Sequence, residues 1–468
     1  MECLLMGVLL AIGAACVTEL AGPGRPSVPS GPLRVHRDNP RYFADADGRA
    51  VLLTGFHTWN NLQELGPSDP PKPFDYEGYL DLLQKHGVNY IRLWRWEMPK
   101  YRYPSEMYTS NKVYHHCTPH PWRRTGPGKA ADGKPRSDLS RFEPAYFERL
   151  RDRVARAGER GIYVSVMLFE GHCAQFSEEG WAYHPFAAGN NLNDIDADSD
   201  GDGRGLEFYT LDLPDVTRLQ EAYVRKVIDV VNDLNNVFYE ISNEAGTYST
   251  EWQYHMIRLI REYEAGKPHQ HLVGMTFQYK GGTNANLMAS PADWISPNPD
   301  GGYRDEPPAA DGAKVIVSDT DHLWGVGGNR AWIWKTFTRA MHPIFMDPWG
   351  EHDTLFRGMT PEAIDDLRSN LGYVQHYARK MDLASATPRS HLASSGFCVA
   401  NPGVEYLVYL PEGGTVEVDL SAVRGRTGVE WFDPSTGQAV EGLPADGGGQ
   451  CRLKAPFGGD AALYLRAQ

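Results

Sequence analysis

Cysteine is scarce in this 468-residue chain: there are six, and Cys3 and Cys16 fall within the first sixteen positions. A small scaffold stapled by disulfides is thereby excluded. The interior four, Cys117, Cys173, Cys398 and Cys451, allow three connectivities or four free thiols, and their spacing chooses none of these. Positive charge is also short, with 46 Lys and Arg against 60 Asp and Glu and a formal charge of −14. A surface of that sign repels phosphate backbones, which excludes nucleic acid as a partner. After the first twenty residues no apolar run reaches membrane-spanning length, so no transmembrane segment is expected. The chain has no repeat of 20 to 50 residues. No glycine-rich phosphate fingerprint follows the first expected strand, which argues against a doubly wound nucleotide-binding sheet.

What is present points to a large, loop-rich globular protein. Hydrophobic residues make up 41% of the chain and aromatics 11%, enough for a sizeable core. Gly and Pro together supply about a sixth of the residues, the mark of many ordered loops on a scaffold. The apolar stretch Leu4 to Val17 has the length of an export signal and is too short to span a bilayer, although its start carries Glu2 and no Lys or Arg. Gly13-Ala14-Ala15-Cys16 resembles a lipoprotein cleavage box without the usual aliphatic residue three before the Cys. The expected location is therefore extracellular or periplasmic, with lipid anchoring at Cys16 left open. Residues 1–20 read as the signal and 21–32, rich in Gly, Pro and Ser, as a linker.

From Leu33 the pattern is regular. Leu33–His36 and Arg41–Ala44 read as a short hairpin. Eight strand-like runs then alternate with helical periodicity: Val51–Thr54, Asn89–Trp94, Ile162–Leu168, Val237–Ile241, His271–Thr276, Trp294–Ser296, Val315–Ser318 and Pro343–Met346. Apolar stripes at helical spacing are clearest around Phe147–Ala157, Leu219–Leu234, Met256–Tyr263 and Pro361–Met381, and weak between strands five and seven. This alternation predicts an α/β fold, a (β/α)8 (TIM) barrel over 33–383. Short alternating runs between Gly and Pro turns predict a small C-terminal β-sandwich over 390–468.

Barrels of this kind collect reactive groups at the C-terminal ends of their strands. Two facing carboxylates there, one protonated and one ionised, are what glycosidic bond cleavage needs. Glu244 after strand four and Asp319 after strand seven supply such a pair. Eleven of the twelve Trp lie between Trp59 and Trp349, and flat aromatic faces suit sugar rings. The segment Tyr239-Glu240-Ile241-Ser242-Asn243-Glu244 resembles the Asn-Glu signature of clan A glycoside hydrolases. That resemblance implies Glu244 as acid/base, Asn243 on the sugar 2-hydroxyl, and Arg92 as the strand-two arginine that supports the nucleophile. Asp47-Gly48-Arg49 through Trp59, together with the tail, is similar to cellulase-like and apiosidase-like members carrying a C-terminal domain labelled "putative collagen-binding". One position departs from the pattern, because Asp319 stands where those enzymes have Glu. Asp321 shares its strand parity and could serve instead, and a carboxyl gap nearer about 6.5–9.5 Å than 5–5.5 Å would make the reaction inverting.

The expectation is thus a secreted glycoside hydrolase acting on a plant or microbial glycan by a retaining mechanism. Glu244 and Asp319 are its catalytic pair, and Asn243, Arg92, His57, Trp59, Trp94, Glu170, Tyr279, Asp321, His322, Trp324 and Asp347 contact carbohydrate. No cofactor is expected for catalysis. A barrel that binds glycan or protein without catalysis is the alternative. A metal-dependent hydrolase ranks last, because strand one offers only His57 and His271 starts strand five rather than ending it. Separately, Asp196, Asp198, Asp200, Asp202 and Glu207 match the D-x-D-x-D-G-x5-E loop, which suits a structural Ca2+. The competing reading is a solvated acidic loop.

Overall fold

The computed structural model describes residues 17–19, 27–103, 113–177, 179–279, 281–349 and 359–468. They divide into two compact units, one ending at Pro388 and one formed by Arg389–Gln468 with Val17–Glu19. In the first unit eight parallel strands close a barrel. They are β1 Gly55–His57, β2 Tyr90–Leu93, β3 Tyr163–Glu170, β4 Val237–Asn243, β5 Val273–Thr276, β6 Trp294–Ser296, β7 Val315–Asp319 and β8 His342–Met346. Every residue of β3 and β4 is buried, as expected of parallel strands covered on both faces.

Seven strands lie where the apolar runs predict, within a few residues. The first does not. Val51 belongs instead to a three-stranded meander of Arg34–Val35, Phe43–Ala44 and Ala50–Val51. Leu33, Phe43 and Leu53 share one buried cluster with Tyr90, Phe238 and Trp294, so this meander closes one end of the barrel. The strand proper begins at Gly55, where a Cβ would come within 1.8 Å of the Tyr90 carbonyl oxygen. Only glycine admits that approach to β2.

Helices Tyr76–His86, Pro144–Glu159, Pro214–Val231, Thr250–Glu264, Arg330–Thr338 and Pro361–Lys380 surround the strands. Asp75 caps the first through the Gly78 amide (3.0 Å), and Gly87 ends it in the left-handed region. The regular alternation breaks in two places. Residues 297–314, between β6 and β7, hold no helix, and Asn284–Ala289 before β6 is short. After β2 the chain instead makes an unpredicted excursion that includes the hairpin Trp122–Lys129 with Pro135–Phe142. Those strands are largely polar, with most residues exposed or half-buried, so they carry no apolar alternation to read.

The second unit is antiparallel. Its larger sheet runs Val17–Glu19, Gln438–Asp446, Arg426–Asp433, Ala461–Ala467, Glu405–Leu410 and Phe397–Asn401, and Thr415–Asp419 pairs separately with Gln450–Lys454. Val408, Leu463 and Trp431 from the first sheet pack with Val416 and Val418 from the second, as a sandwich requires. Of the segment read as an export signal only Val17–Glu19 is described, paired with Gln438–Val440. The remainder, Cys16 included, lies outside the described residues. Cys117, Cys173 and Cys451 are free thiols, the first two buried, and Cys398 is buried in the sandwich core.

Candidate active site

At the C-terminal ends of the strands lies a cavity of about 450 Å³. Loops after each of β1 to β7 line it, and Trp59, Trp94, Trp96, Phe277, Tyr279 and Trp324 make it strongly aromatic. Two carboxylates line it as well, Glu244 and Asp321.

Arg92 organises the floor. The middle of β2 points it into the barrel, 1% exposed, where it reaches β4 and the end of β7 together. Its Nε and Nη2 donate to Glu240 Oε2 and Oε1 (2.9 and 2.6 Å), a bidentate pair. Nη1 donates to Asp319 Oδ2 (2.8 Å) and Asp321 Oδ2 (3.0 Å), and Nη2 also donates to Asn243 Oδ1 (2.9 Å). An arginine has only donors, so the atom of Asn243 that faces it is oxygen. The Asn243 NH2 group is left to donate to a ligand. His322 adds a second contact to the same oxygen, with Nε2 at 3.1 Å and Nδ1 2.7 Å from Ser296 Oγ. Burial, and then Arg92, push the His322 ring down to about 3, so it is neutral at neutral pH and Nε2–H is the donor.

Glu244 follows the last residue of β4 in the left-handed region, with φ 51°. A non-glycine residue there is strained, and its surroundings hold it. Gln175 Nε2 donates to its carbonyl (2.5 Å). Gly171, after β3, comes so close that a Cβ would lie 2.6 Å from Ala245 Cα. His172 Nε2 is 3.7 Å from Glu244 Oε2, and Tyr103 Oη is 2.9 Å from His172 Nδ1. Burial pushes the Glu244 carboxyl well above the usual carboxylate range, and Asp321 and Glu170 push it further.

Asp319, the expected nucleophile, does not line the cavity. It is fully buried beneath it, and both its oxygens are engaged. Oδ1 accepts from the Asp321 amide (2.9 Å) and lies 3.1 Å from His57 Nε2, while Oδ2 takes Arg92. Burial alone would raise this carboxyl, but His57 and Arg92 outweigh it and hold it well below the usual range. Strand parity misleads here because β7 ends at Asp319 and the chain turns at once into Thr320–Leu323. Asp319 thus caps the turn that presents Asp321 to the cavity. Burial pushes Asp321 up to about 6, with Arg92 opposing and Asp319 adding to the rise.

Of the expected contact residues, Asn243, Trp59, Trp94, Tyr279, Asp321, His322 and Trp324 line the cavity, and four others do not. Arg92 and His57 lie in the floor, with the His57 ring stacked on Trp94 (5.7 Å between centroids). Glu170 accepts from the amides of His172 (2.7 Å) and Cys173 (3.1 Å), capping the short helix that carries His172. Asp347 accepts from Arg368 Nε and Nη2 (2.6 and 2.7 Å), tying the end of β8 to the last helix. These two were expected on carbohydrate because they end strands. Each is taken up by a nearer protein donor. Glu240, Phe277 and Arg304 were not foreseen. A carboxylate inside the apolar run Val237–Ile241 was as anomalous as Arg92 and is its partner, whereas Arg304 sits in a loop with no signal.

The acidic loop brings one oxygen each of Asp198, Asp200 and Glu207 within 4.8 Å of one another. Asp196 and Asp202 are not in that cluster; their carboxylates accept from the amides of Asp198 (3.1 Å) and Arg204 (2.8 Å). Three of the five expected ligands therefore converge. Calcium takes six to eight oxygens, so the carboxylates alone do not complete its shell.

Residues 109–281 match a family model described as "Domain of unknown function (DUF6298)", and 395–462 one described as "Putative collagen-binding domain of a collagenase". No curated protein matches the sequence. Solved structures do match. One titled "Glycoside hydrolase" aligns at 13% identity and TM-score 0.61 over 95% of this chain and 99% of that one. A glycoside hydrolase family 5 structure from Bacteroides vulgatus aligns at 13% and 0.61 over 95% of each chain. At that identity the likeness is one of fold: a TIM barrel followed by a β-sandwich, as in these glycoside hydrolase structures.

Proposed function

We propose that this chain is an exported glycoside hydrolase that cleaves O-glycosidic bonds of a plant or microbial glycan by a retaining two-carboxylate mechanism. Glu244 is the acid/base and Asp321 the nucleophile. The observation that carries this reading is a pair of carboxyls facing one aromatic cavity from the ends of β4 and β7, only one of them paired with the Arg92 guanidinium. Burial and the neighbouring acids bias Glu244 toward its protonated form, while Asp321, at about 6 and bonded to Arg92, is mostly ionised at neutral pH.

In the first step Asp321 attacks the anomeric carbon while Glu244 gives its proton to the departing oxygen. In the second, Glu244 takes a proton from the water that displaces Asp321. The Asn243 NH2 group holds a ring hydroxyl, and the indole and phenyl faces pack on the sugar. Asp319 and His57 are positioning residues. They fix the turn bearing Asp321 and the guanidinium that keeps it charged.

A panel of aryl glycosides and polysaccharides, assayed with wild type and Glu244→Gln, tests the reading. On substrates with poor leaving groups the substitution is expected to lower kcat by about 10²–10⁴-fold. Undiminished turnover, or wild type that binds glycans and cleaves none, contradicts it.

A further inference from the structure

Arg304 is the one residue with a guanidinium or ammonium group among the described residues that line the cavity. It differs from the arginines around it. Arg92 and Arg95 are buried in ion pairs with Glu240 and Glu97, and Arg368 is held by Asp347. Arg304 has no ion pair and no side-chain hydrogen bond among the described residues, and it is exposed. Its contact is with the face of Trp324, 5.2 Å from guanidinium carbon to ring centroid. Trp324 is itself braced edge-on against Trp332 (5.5 Å, 85°).

The backbone that carries Arg304 is tied down without its help. Trp332 Nε1 donates to the Tyr303 carbonyl (3.3 Å), Lys335 Nζ to the Asp305 carbonyl (3.0 Å), and Lys335 pairs with Glu306. The amides of Asp305 and Glu306 both bond the Gly302 carbonyl (3.1 and 2.9 Å). The side chain thus has no structural task beyond lying on an indole. A guanidinium stacked in this way keeps its in-plane N–H donors at the edge, the fork that matches a carboxylate bidentately. A neutral sugar needs no such cation. An acidic sugar does, because this cavity already holds Glu244 and Asp321 and the chain carries −14.

We propose that Arg304 binds the carboxylate of a uronosyl residue, making the substrate a glycan that contains uronic acid. The proposal rests on the glycoside hydrolase reading and narrows its substrate class. Calorimetric titration of Glu244→Gln tests it with three kinds of probe. These are oligosaccharides of galacturonic or glucuronic acid, the same oligosaccharides with carboxyls reduced to alcohols, and a sulfated neutral oligosaccharide. At least one uronate series should bind about tenfold or more tightly than its reduced counterpart, the scale of a charge-assisted bond, and less so as salt rises. Adding Arg304→Ala should erase the difference, and Arg304→Lys should restore part of it. Arg304 is exposed, so both variants should melt with the parent.

Equal affinity for acidic and reduced probes overturns the proposal, as does a preference that survives Arg304→Ala or the lack of binding to any uronate. A sulfated probe bound in preference to every uronate also overturns it. Wild-type hydrolysis followed in parallel separates the two claims. Arg304-dependent uronate binding without cleavage removes the hydrolase reading alone. Cleavage of neutral glycans without uronate preference removes only the uronate assignment.

Discussion

In the proposed mechanism Glu244 and Asp321 are chemically similar carboxyls whose neighbours divide the labour between them. Glu244 is buried beside other acids, which raises its carboxyl well above the usual range, while Asp321 shares the Arg92 guanidinium and gives its proton up near pH 6. The sign of the pH dependence follows. Below pH 6 Asp321 is protonated and cannot attack, so kcat/KM rises through about pH 6. At higher pH Glu244 loses the proton it must donate, so the rate falls again. A pH–rate profile on any cleaved glycoside checks this, and one without an ascending limb between pH 5 and 7 contradicts it. At this scale the sequence was partly legible. Arg92 and Glu244 stood out because a guanidinium inside an apolar strand and an Asn-Glu at a strand end have few other uses. The choice between Asp319 and Asp321 was not legible. It depends on where β7 stops being a strand, and the apolar run cannot show a turn that begins one residue after it.

Elements were easier to read where burial imposes periodicity. Seven of eight barrel strands and the long helices followed from apolar runs and stripes, because both faces of a barrel strand are covered. β1 was misplaced by a few residues. Its neighbour Val51 has the more strand-like sequence, while the real strand is selected by one close approach, Gly55 against the Tyr90 carbonyl. Gly55→Ala should therefore cost about 1–3 kcal/mol or more in chemical denaturation, the scale of an overpacked core. A stability unchanged within error would mean that β1 and β2 yield to a methyl group. The excursion after β2 escaped notice, and the bare 297–314 segment showed only as a weak stretch between strands five and seven, for the opposite reason: their residues face solvent or loops and bear no apolar period. Arg304 lies in the second of these.

The whole molecule stores several acids away from their ordinary ionisation. Glu170 is the clearest, pushed up to about 8 by burial against the pull of the amides it caps. Its folded value exceeds its unfolded one, so the folded state binds the extra proton between about pH 4.5 and 8. Stability from this group is full below that window and is lost as pH rises through it. Glu170→Gln should flatten the fall in Tm between pH 5 and 8, read by differential scanning at several pH values, and an unaltered slope contradicts the assignment. A barrel followed by a sandwich was legible as a change from mixed to purely strand-like periodicity over residues 384–394. In the proposed mechanism the intact chain is a retaining enzyme. Reaction with an activated 2-deoxy-2-fluoro glycoside of a sugar it cleaves should add one glycosyl group to the whole-protein mass, and peptide mapping should find that group on Asp321. A label on Asp319 or elsewhere, or no label while the enzyme releases an inverted anomer, would contradict the account.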